Sequence, residues 1–224
     1  MTVERVFISE KIKEFEMKKF LAQELKRAGF AKADIKRTPL GTRIIVYALR
    51  PGLVIGGSGE NIKRITDTIK EKFKIENPNV EVKQVEVPEL DAQLMAQRIA
   101  GLLERGYYFK KVAHKVLEKV MFAGARGVEI RISGKVPSER AKDWTFKVGY
   151  IRHCGEVVKE GVEVGYCDAR LKPGVVGVRV RIMPPNVLFP DEILVGENAK
   201  HIKLNVPKAE GAEDISDETI NRAA

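Results

Sequence analysis

Gly56, Gly57, Ser58 and Gly59 stand immediately before a segment whose apolar residues fall at Ile62, Ile65, Ile69 and Phe73. Those four share one face of a helix, and the opposite face is largely basic, beginning with Lys63 and Arg64. Backbone N–H groups at the start of a helix hold phosphate well, and residues without side chains let a sugar-phosphate chain come close to them. The loop is therefore expected to bind phosphates. As a bare pattern Gly-x-x-Gly is weak, because Gly124-Ala125-Arg126-Gly127 matches it too; that copy sits where a helix must turn into a strand and is expected to be a cap. A nucleotide-binding P-loop is the sharpest competitor, since Gly52 and Gly57 have its separation. Ser58 stands where the phosphate-reaching lysine belongs, and no strand runs directly into Gly52, so ATPase or GTPase activity is not expected.

A second basic feature spans Phe109 to Ala123. Phe109, Val112, Ala113, Val116, Leu117 and Val120 form an apolar stripe, while Lys110, Lys111, His114, Lys115, Glu118 and Lys119 project from the other side. Each phosphate that such a row neutralises releases counterions, so a rigid rod of lysines grips a passing strand without reading its sequence. An ordinary solvated face is the competing reading. An interfacial membrane helix would need exposed large apolar groups, which the later strands claim. A third cluster comprises Arg131, Lys147, Arg179 and Arg181 on the polar phase of strands, with Lys135, Arg140 and Lys142 in a connecting loop. Together these could form one basic surface; for any single one of them, ordinary outward polar alternation is the competing reading.

Catalytic and metal-binding patterns are missing. His114, His153 and His201 have no carboxylate or cysteine at ligand spacing, so no metal site is expected. Ser58 and Ser138 lack recognisable His/Asp partners, and nothing beyond the adjacent His153 supports Cys154 as a nucleophile. Trp144 opens an alternating strand and is expected in the core.

The elements that must position these residues are held in a chain of 224 residues with a net charge of +9. That length suffices for two modest domains with their own cores. The charge is uneven: from Pro207 to Ala224 two basic residues face five acidic ones, so this tail carries −3 and the rest +12. A body that basic repels itself unless a polyanion neutralises it, which favours nucleic acid or an anionic membrane as partner. The tail has too little apolar content to pack and is expected to be flexible. Cys154 and Cys167 form no Cys-x-x-Cys motif, which fits a reducing cytosol. With charges throughout the N-terminal segment and no run of about 18 apolar residues, the chain is expected to be neither secreted nor membrane-spanning.

Apolar periodicity predicts a helix from Ser9 to Ala28, its core stripe including Ile12, Phe15, Phe20, Leu21 and Leu25, and its end at Gly29. Strands follow at Lys32–Thr38 and Thr42–Leu49. Pro51-Gly52 breaks the sheet, Leu53-Val54-Ile55 forms a short turn into the glycine loop, and the basic helix follows. From Asn79 to Val87 the alternation slips phase between Val82 and Val85, which predicts a bulge or a strand that stops early. The order strand, helix, glycine loop, helix, strand is that of a KH domain. Pro88 marks the expected boundary. Beyond it come helices over about Leu90–Gly106 and Phe109–Ala123, then strands at Val128-Ile130-Ile132, Trp144-Phe146-Val148-Tyr150, Val162-Val164-Tyr166 and Val176-Val178-Val180-Ile182. Two helices on one face of a four-stranded sheet would bury these faces together, making the whole an α+β protein.

The runs RPGLVIGGSGENIKRI (50–65), VPELDAQLMAQRIAGLLERG (87–106), YFKKVAHKVLEKVMFAGARGVEIRISGK (108–135), ERAK (139–142) and GVVGVRVRIMPP (174–185) closely resemble the family of the third protein of the small ribosomal subunit, nearer the archaeal or eukaryotic type than the bacterial. The resemblance covers nearly the whole chain except the acidic tail at 207–224, and it implies a type II KH domain with a mixed three-stranded sheet followed by a family-specific domain of two helices on four strands, expected over 1–88 and 89–206. It also implies a place in the subunit head, binding to small-subunit rRNA, and a share in the channel through which mRNA is drawn in. In that family a basic pair directly after a Phe, with basic positions one turn on, lines the channel and helps unwind mRNA. Carried over, the pair is Lys110 and Lys111, and the later positions are His114 and Lys115, with Lys119 a further turn along the same face. Two departures stand out. His114 replaces a lysine, which ties part of the charge to pH. Gly57 and Ser58 replace residues that are often basic in relatives, so grip there would rest on backbone amides.

The expected function is thus structural and mRNA-handling: a cytoplasmic ribosomal component with any unwinding passive, no cofactor, no small-molecule substrate, no membrane and no enzymatic activity. The expected partners are rRNA, mRNA and other head proteins, among them those of the S-ten and S-fourteen families. A free KH regulator of RNA is the alternative among binding proteins. A nucleic-acid lyase or nuclease is the alternative among enzymes, and it lacks any visible constellation of an activated lysine or metal ligands.

Overall fold

The computed structural model describes residues 3–38, 41–73, 75 and 78–187, which belong to one compact unit. The acidic tail, His201 and the last part of the second expected domain lie outside the described residues.

Helix α1 spans Val3–Glu24 and passes through a short 3₁₀ turn into Gly29, whose φ of 73° closes the helix in the left-handed region. Strands β1 (Phe30–Thr38) and β2 (Gly41–Ala48) pair antiparallel, and β3 (Asn79–Gln84) adds to β2 in parallel, giving the mixed order β1-β2-β3. A parallel neighbour requires a crossover connection. Here that connection is α2 (Pro51–Ile55), the glycine loop and α3 (Glu60–Phe73). The segment expected to be a turn at Leu53-Val54-Ile55 is therefore helical, with Pro51 at its first position, where a missing N–H costs nothing. Strand β3 stops at Gln84, which is the early stop, and not the bulge, of the two outcomes expected from the phase slip. The core joins Met17 and Leu21 of α1, and Leu25 just after it, to Ile44, Val46 and Ala48 of β2, Val54 of α2, and Ile65 and Ile69 of α3.

Helix α1 departs from its expected stripe. Ile12 and Phe15 are 52% and 67% exposed, and Phe7 and Ile8 are open as well. At about 100° per residue, Ile8, Ile12 and Phe15 lie 120–180° around the helix from Leu21. The periodicity merges two opposed stripes, of which only the C-terminal one meets the core. Ile12→Asn and Phe15→Asn are accordingly expected to change stability by less than about 0.5 kcal/mol. Leu21→Ala at the fully buried position should cost about 3 kcal/mol, and urea unfolding of the three variants checks the contrast.

The second half starts at α4 (Ala92–Glu104), capped by Asp91, whose carboxylate accepts from the Leu94 N–H at 3.0 Å. Helix α5 covers Phe109–Phe122 and ends at Gly124 with φ 92°, so the second glycine pair is a cap, as expected. Strands β4 (Gly127–Gly134), β5 (Lys142–Gly149), β6 (Glu163–Leu171) and β7 (Gly174–Met183) form an antiparallel sheet in the order β5-β4-β7-β6, and a short helix α6 (Glu156–Gly161), absent from the sequence reading, precedes β6. Both long helices lie on one face: α4 over β6 and β7, α5 over β4 and β5.

In β6 the expected phase is inverted. Val164 and Tyr166 face outward, 41% and 60% exposed, while Gly165, Cys167 and Ala169 face the helices. Small residues are needed there because α4 passes so close: a Cβ on Gly165 would lie 2.2 Å from the Ala92 carbonyl oxygen. Val148 and Tyr150, expected in the core with Trp144 and Phe146, are also exposed, at 42% and 54%, beyond the covered part of β5. The two halves touch through α4, where Gln97 donates to the Phe30 carbonyl at 2.9 Å and Ala31 joins the core of the second half.

Candidate nucleic-acid interface

The glycine loop is a built turn. Gly56 has φ 74° and ψ −177°, Ser58 has φ 54°, and Gly59 has φ 78°; Gly57 to Gly59 form a single 3₁₀ turn running into α3. A Cβ at Gly56 would press to 2.9 Å against Asn61, whose side-chain amide donates to the Leu53 carbonyl at 3.2 Å and ties α2 to α3. Gly57 and Ser58 are exposed, and a Cβ on Gly57 would meet nothing within 4 Å. Two positions thus fix the backbone, and two face solvent with no side-chain charge. Lys63 and Arg64 are exposed on the first turns of α3. Arg64 lies 3.7 Å from Glu24, whereas Lys63 makes no ion pair among the described residues.

Helix α5 buries Phe109, Val112, Ala113, Val116, Leu117 and Val120, the full expected stripe. Its cations separate onto two flanks. Toward β5, the Lys110 ammonium lies 5.0 Å from the centre of the Trp144 ring, and His114 meets Phe146 edge-on at 5.3 Å. Trp144 itself packs at 5.3 Å on Phe109 and donates from its indole N–H to the Val136 carbonyl at 3.0 Å, a place at the core margin. Toward α4, Lys111, Lys115 and Lys119 border a groove with Arg98 and Tyr107, floored by Leu102, Val112 and Val116. The adjacent pair Lys110 and Lys111 therefore points to different sides of the helix.

The third cluster divides as well. On the outer face of the second sheet, Arg131 bonds Asp143, which holds that carboxyl below its ordinary range with help from Ser133, and raises the guanidinium in turn. Lys147 lies 3.2 Å and Arg181 3.9 Å from Glu129, a carboxylate only 6% exposed, and His153 approaches the same group at 3.6 Å while its other ring nitrogen meets Arg181 at 2.8 Å. Arg179 packs over Tyr166 at 5.6 Å. Cross-strand register makes these pairs, setting Glu129 opposite both Lys147 and Arg181. Lys135, Arg140 and Lys142 are exposed and make no ion pair among the described residues. Of the seven residues, Lys135 and Arg140 in the loop and Lys142 at the first position of β5 carry no ion pair among the described residues, whereas Arg131, Lys147 and Arg181 are ion-paired within the chain and Arg179 lies against an aromatic ring.

No group of three or more His, Cys, Asp or Glu side chains suited to a metal occurs among the described residues. Cys154 and Cys167 are free, and burial pushes the Cys167 thiol up. No helix among the described residues is long and apolar enough to cross a membrane. Arg98, Tyr107 and Phe122 were not singled out from the sequence. Phe122 had a legible signal, standing eleven residues, close to three helical turns, after Lys111.

A strand, helix, exposed glycine turn, helix, strand unit joined to a lysine-faced helix on a sheet defines an RNA-binding protein of the KH class. The family description "KH domain" matches residues 16–91, and "Ribosomal protein S3, C-terminal domain" matches residues 99–182. A relative from Methanocaldococcus jannaschii named small ribosomal subunit protein uS3 is 47% identical over 202 residues, covering 89% of this chain and 97% of that protein. The protein of the same name from Methanosphaera stadtmanae is 42% identical over 218 residues, 97% of this chain and 86% of the relative. The chain belongs to the uS3 family of small-subunit ribosomal proteins, a family of structural constituents and not of enzymes.

Proposed function

We propose that this protein sits in the head of the small ribosomal subunit in the cytoplasm, that its glycine loop, Lys63 and Arg64 clamp rRNA, and that α5 holds mRNA single strands in the channel through which mRNA is drawn. Lys135, Arg140 and Lys142 add rRNA contacts, with Arg131, Lys147, Arg179 and Arg181 behind them, and neighbours from the S-ten and S-fourteen families complete the site. The chain divides into a KH domain over 1–88, a second domain over 89–206 and a tail. Unwinding is passive: translocation supplies the energy, and the lysines hold strands that have already parted.

The observation that carries the α5 assignment is the row Lys111, Lys115 and Lys119, held along an open groove by a helix whose opposite stripe is buried. Lys110→Ala with Lys111→Ala is expected to weaken binding of single-stranded RNA and to flatten its salt dependence by about 0.7 in log–log slope per lost phosphate contact. Lys111→Ala alone should carry the larger part, because the Lys110 ammonium is placed over Trp144. An affinity whose salt slope does not move in the double variant removes α5 from the RNA. Sedimentation with small subunits at moderate salt supports the ribosomal placement, and protein found wholly free of them refutes it.

A further inference from the structure

Phe122, the last residue of α5, is 96% exposed. It is the most exposed large apolar side chain among the described residues. Counting from Lys111, Lys115, Lys119 and Phe122 all fall within about 80° of the helix circumference, one continuous line with Glu118 about 20° outside its edge. Tyr107, 56% exposed, borders the same groove at the other end of that line. Lys119 belongs both to this groove and to the hollow beside Phe122, so the two are contiguous. The result is three ammonium groups in a row with an aromatic ring beyond each end.

The lysines step along the axis by about 6 Å each, a separation close to that of successive phosphates in a single strand. The rings add what unpaired bases seek: stacking on an aromatic face is indifferent to sequence and is closed to bases locked in a duplex. Glu89 and Glu118 border the Phe122 hollow. Their charge would repel a phosphate there but not a base, which puts the phosphates at the lysines and the base at the ring. Arg98 on α4 forms the opposite wall. The flank toward β5 cannot serve in the same way, since Lys110 and His114 are already against Trp144 and Phe146.

We propose that the α4 side of α5 is a seat for a short stretch of single-stranded RNA, with successive phosphates on Lys111, Lys115 and Lys119 and bases stacked on Tyr107 at one end and Phe122 at the other. This rests on the reading that α5 holds mRNA, and it fixes the strand's path and names the residues that favour unpaired RNA over duplex. The test uses the full-length protein with a fluorescein-labelled oligouridylate and an abasic strand of the same length. Phe122→Ala and Tyr107→Ala should each weaken the oligouridylate by on the order of tenfold and leave the abasic strand nearly unchanged, while Phe122→Trp should retain affinity. Lys115→Ala with Lys119→Ala should weaken both strands and lower the salt slope by about 1.4. Wild-type affinity in Phe122→Ala, or equal losses for the two strands, overturns the seat. If the Lys110→Ala, Lys111→Ala protein then still loses affinity, only the seat has failed; if it too binds as wild type, the α5 assignment fails with it. A Phe122→Ala protein that binds RNA normally but no longer joins small subunits also overturns the seat and makes Phe122 a protein contact.

Discussion

Gly165→Val is expected to lower the melting temperature by roughly 10 °C, the consequence of about 3 kcal/mol of overpacking in a chain of this size. The added Cβ would stand 2.2 Å from the Ala92 carbonyl oxygen and 2.6 Å from the Gln93 nitrogen. Both are backbone atoms of the first turn of α4, so no side chain can swing aside. Relief requires the helix to lift from β6, and the helix is fastened there. The Gln93 side chain donates to the Tyr166 carbonyl at 3.0 Å and accepts the Tyr166 N–H at 3.1 Å, while Glu104 accepts the Arg170 N–H at 3.1 Å. Those bonds satisfy backbone groups of β6, which among the described residues has only β7 as a strand neighbour, and protect an edge otherwise open to pairing with another chain. Lifting α4 would expose that edge, so aggregation should accompany the loss of stability. Gly101→Ala provides the control: a Cβ there meets nothing within 4 Å, the position is inside α4, and the change should be neutral or raise stability by up to about 1 kcal/mol. Thermal unfolding by circular dichroism measures both. A Gly165→Val protein that melts with the wild type would mean α4 does not lie on β6 as described.

The same contact explains why the phase of β6 is not legible in the sequence when most other elements are. Strands β4 and β7 bury Val128, Ile130, Ile132, Val176, Val178, Val180 and Ile182, and placing large residues inward finds their phase. On β6 the helix comes so near that only Gly165, Cys167 and Ala169 fit beneath it, and the large residues are turned outward. Alternation was visible there; its sign depended on a helix some seventy residues earlier in the chain. Helix α1 misleads for a related reason, since two opposed stripes in successive halves look like one broad stripe. Within the candidate interface, the lysines of α5 were legible because each must stand opposite a buried residue. Their division into two flanks was not, because it is made by Trp144 and Phe146 on one side and Arg98 on the other. The sheet cations show the same limit: their polar phase is local, whereas their pairing with Asp143 and Glu129 comes from cross-strand register.

Gly57→Asp combined with Ser58→Asp is expected to leave the fold intact and to weaken rRNA binding by at least about tenfold at low salt, since like charges brought together in an interface cost several kcal/mol. The loop separates the two requirements cleanly. Gly57 keeps an ordinary φ and open space at its Cβ, and Ser58 already holds a non-glycine side chain at φ 54°, a region that aspartate enters more readily than most residues. Gly56 is different: at φ 74° with Asn61 at 2.9 Å, a side chain there would disturb the α2 to α3 junction itself and confuse binding with folding. Two carboxylates at the exposed positions would instead face the polyanion that the loop amides, Lys63 and Arg64 are proposed to hold. Because that repulsion acts between solvated charges, the deficit should shrink as salt rises through the range where the Debye length falls below about 10 Å. A steric or unfolding effect would persist at every ionic strength. Binding to a small-subunit rRNA fragment across a salt series, beside a melting curve of the same variant, distinguishes these outcomes. Full affinity in a folded double variant would take the glycine loop out of the interface and leave Lys135, Arg140, Lys142 and α5 to hold the RNA.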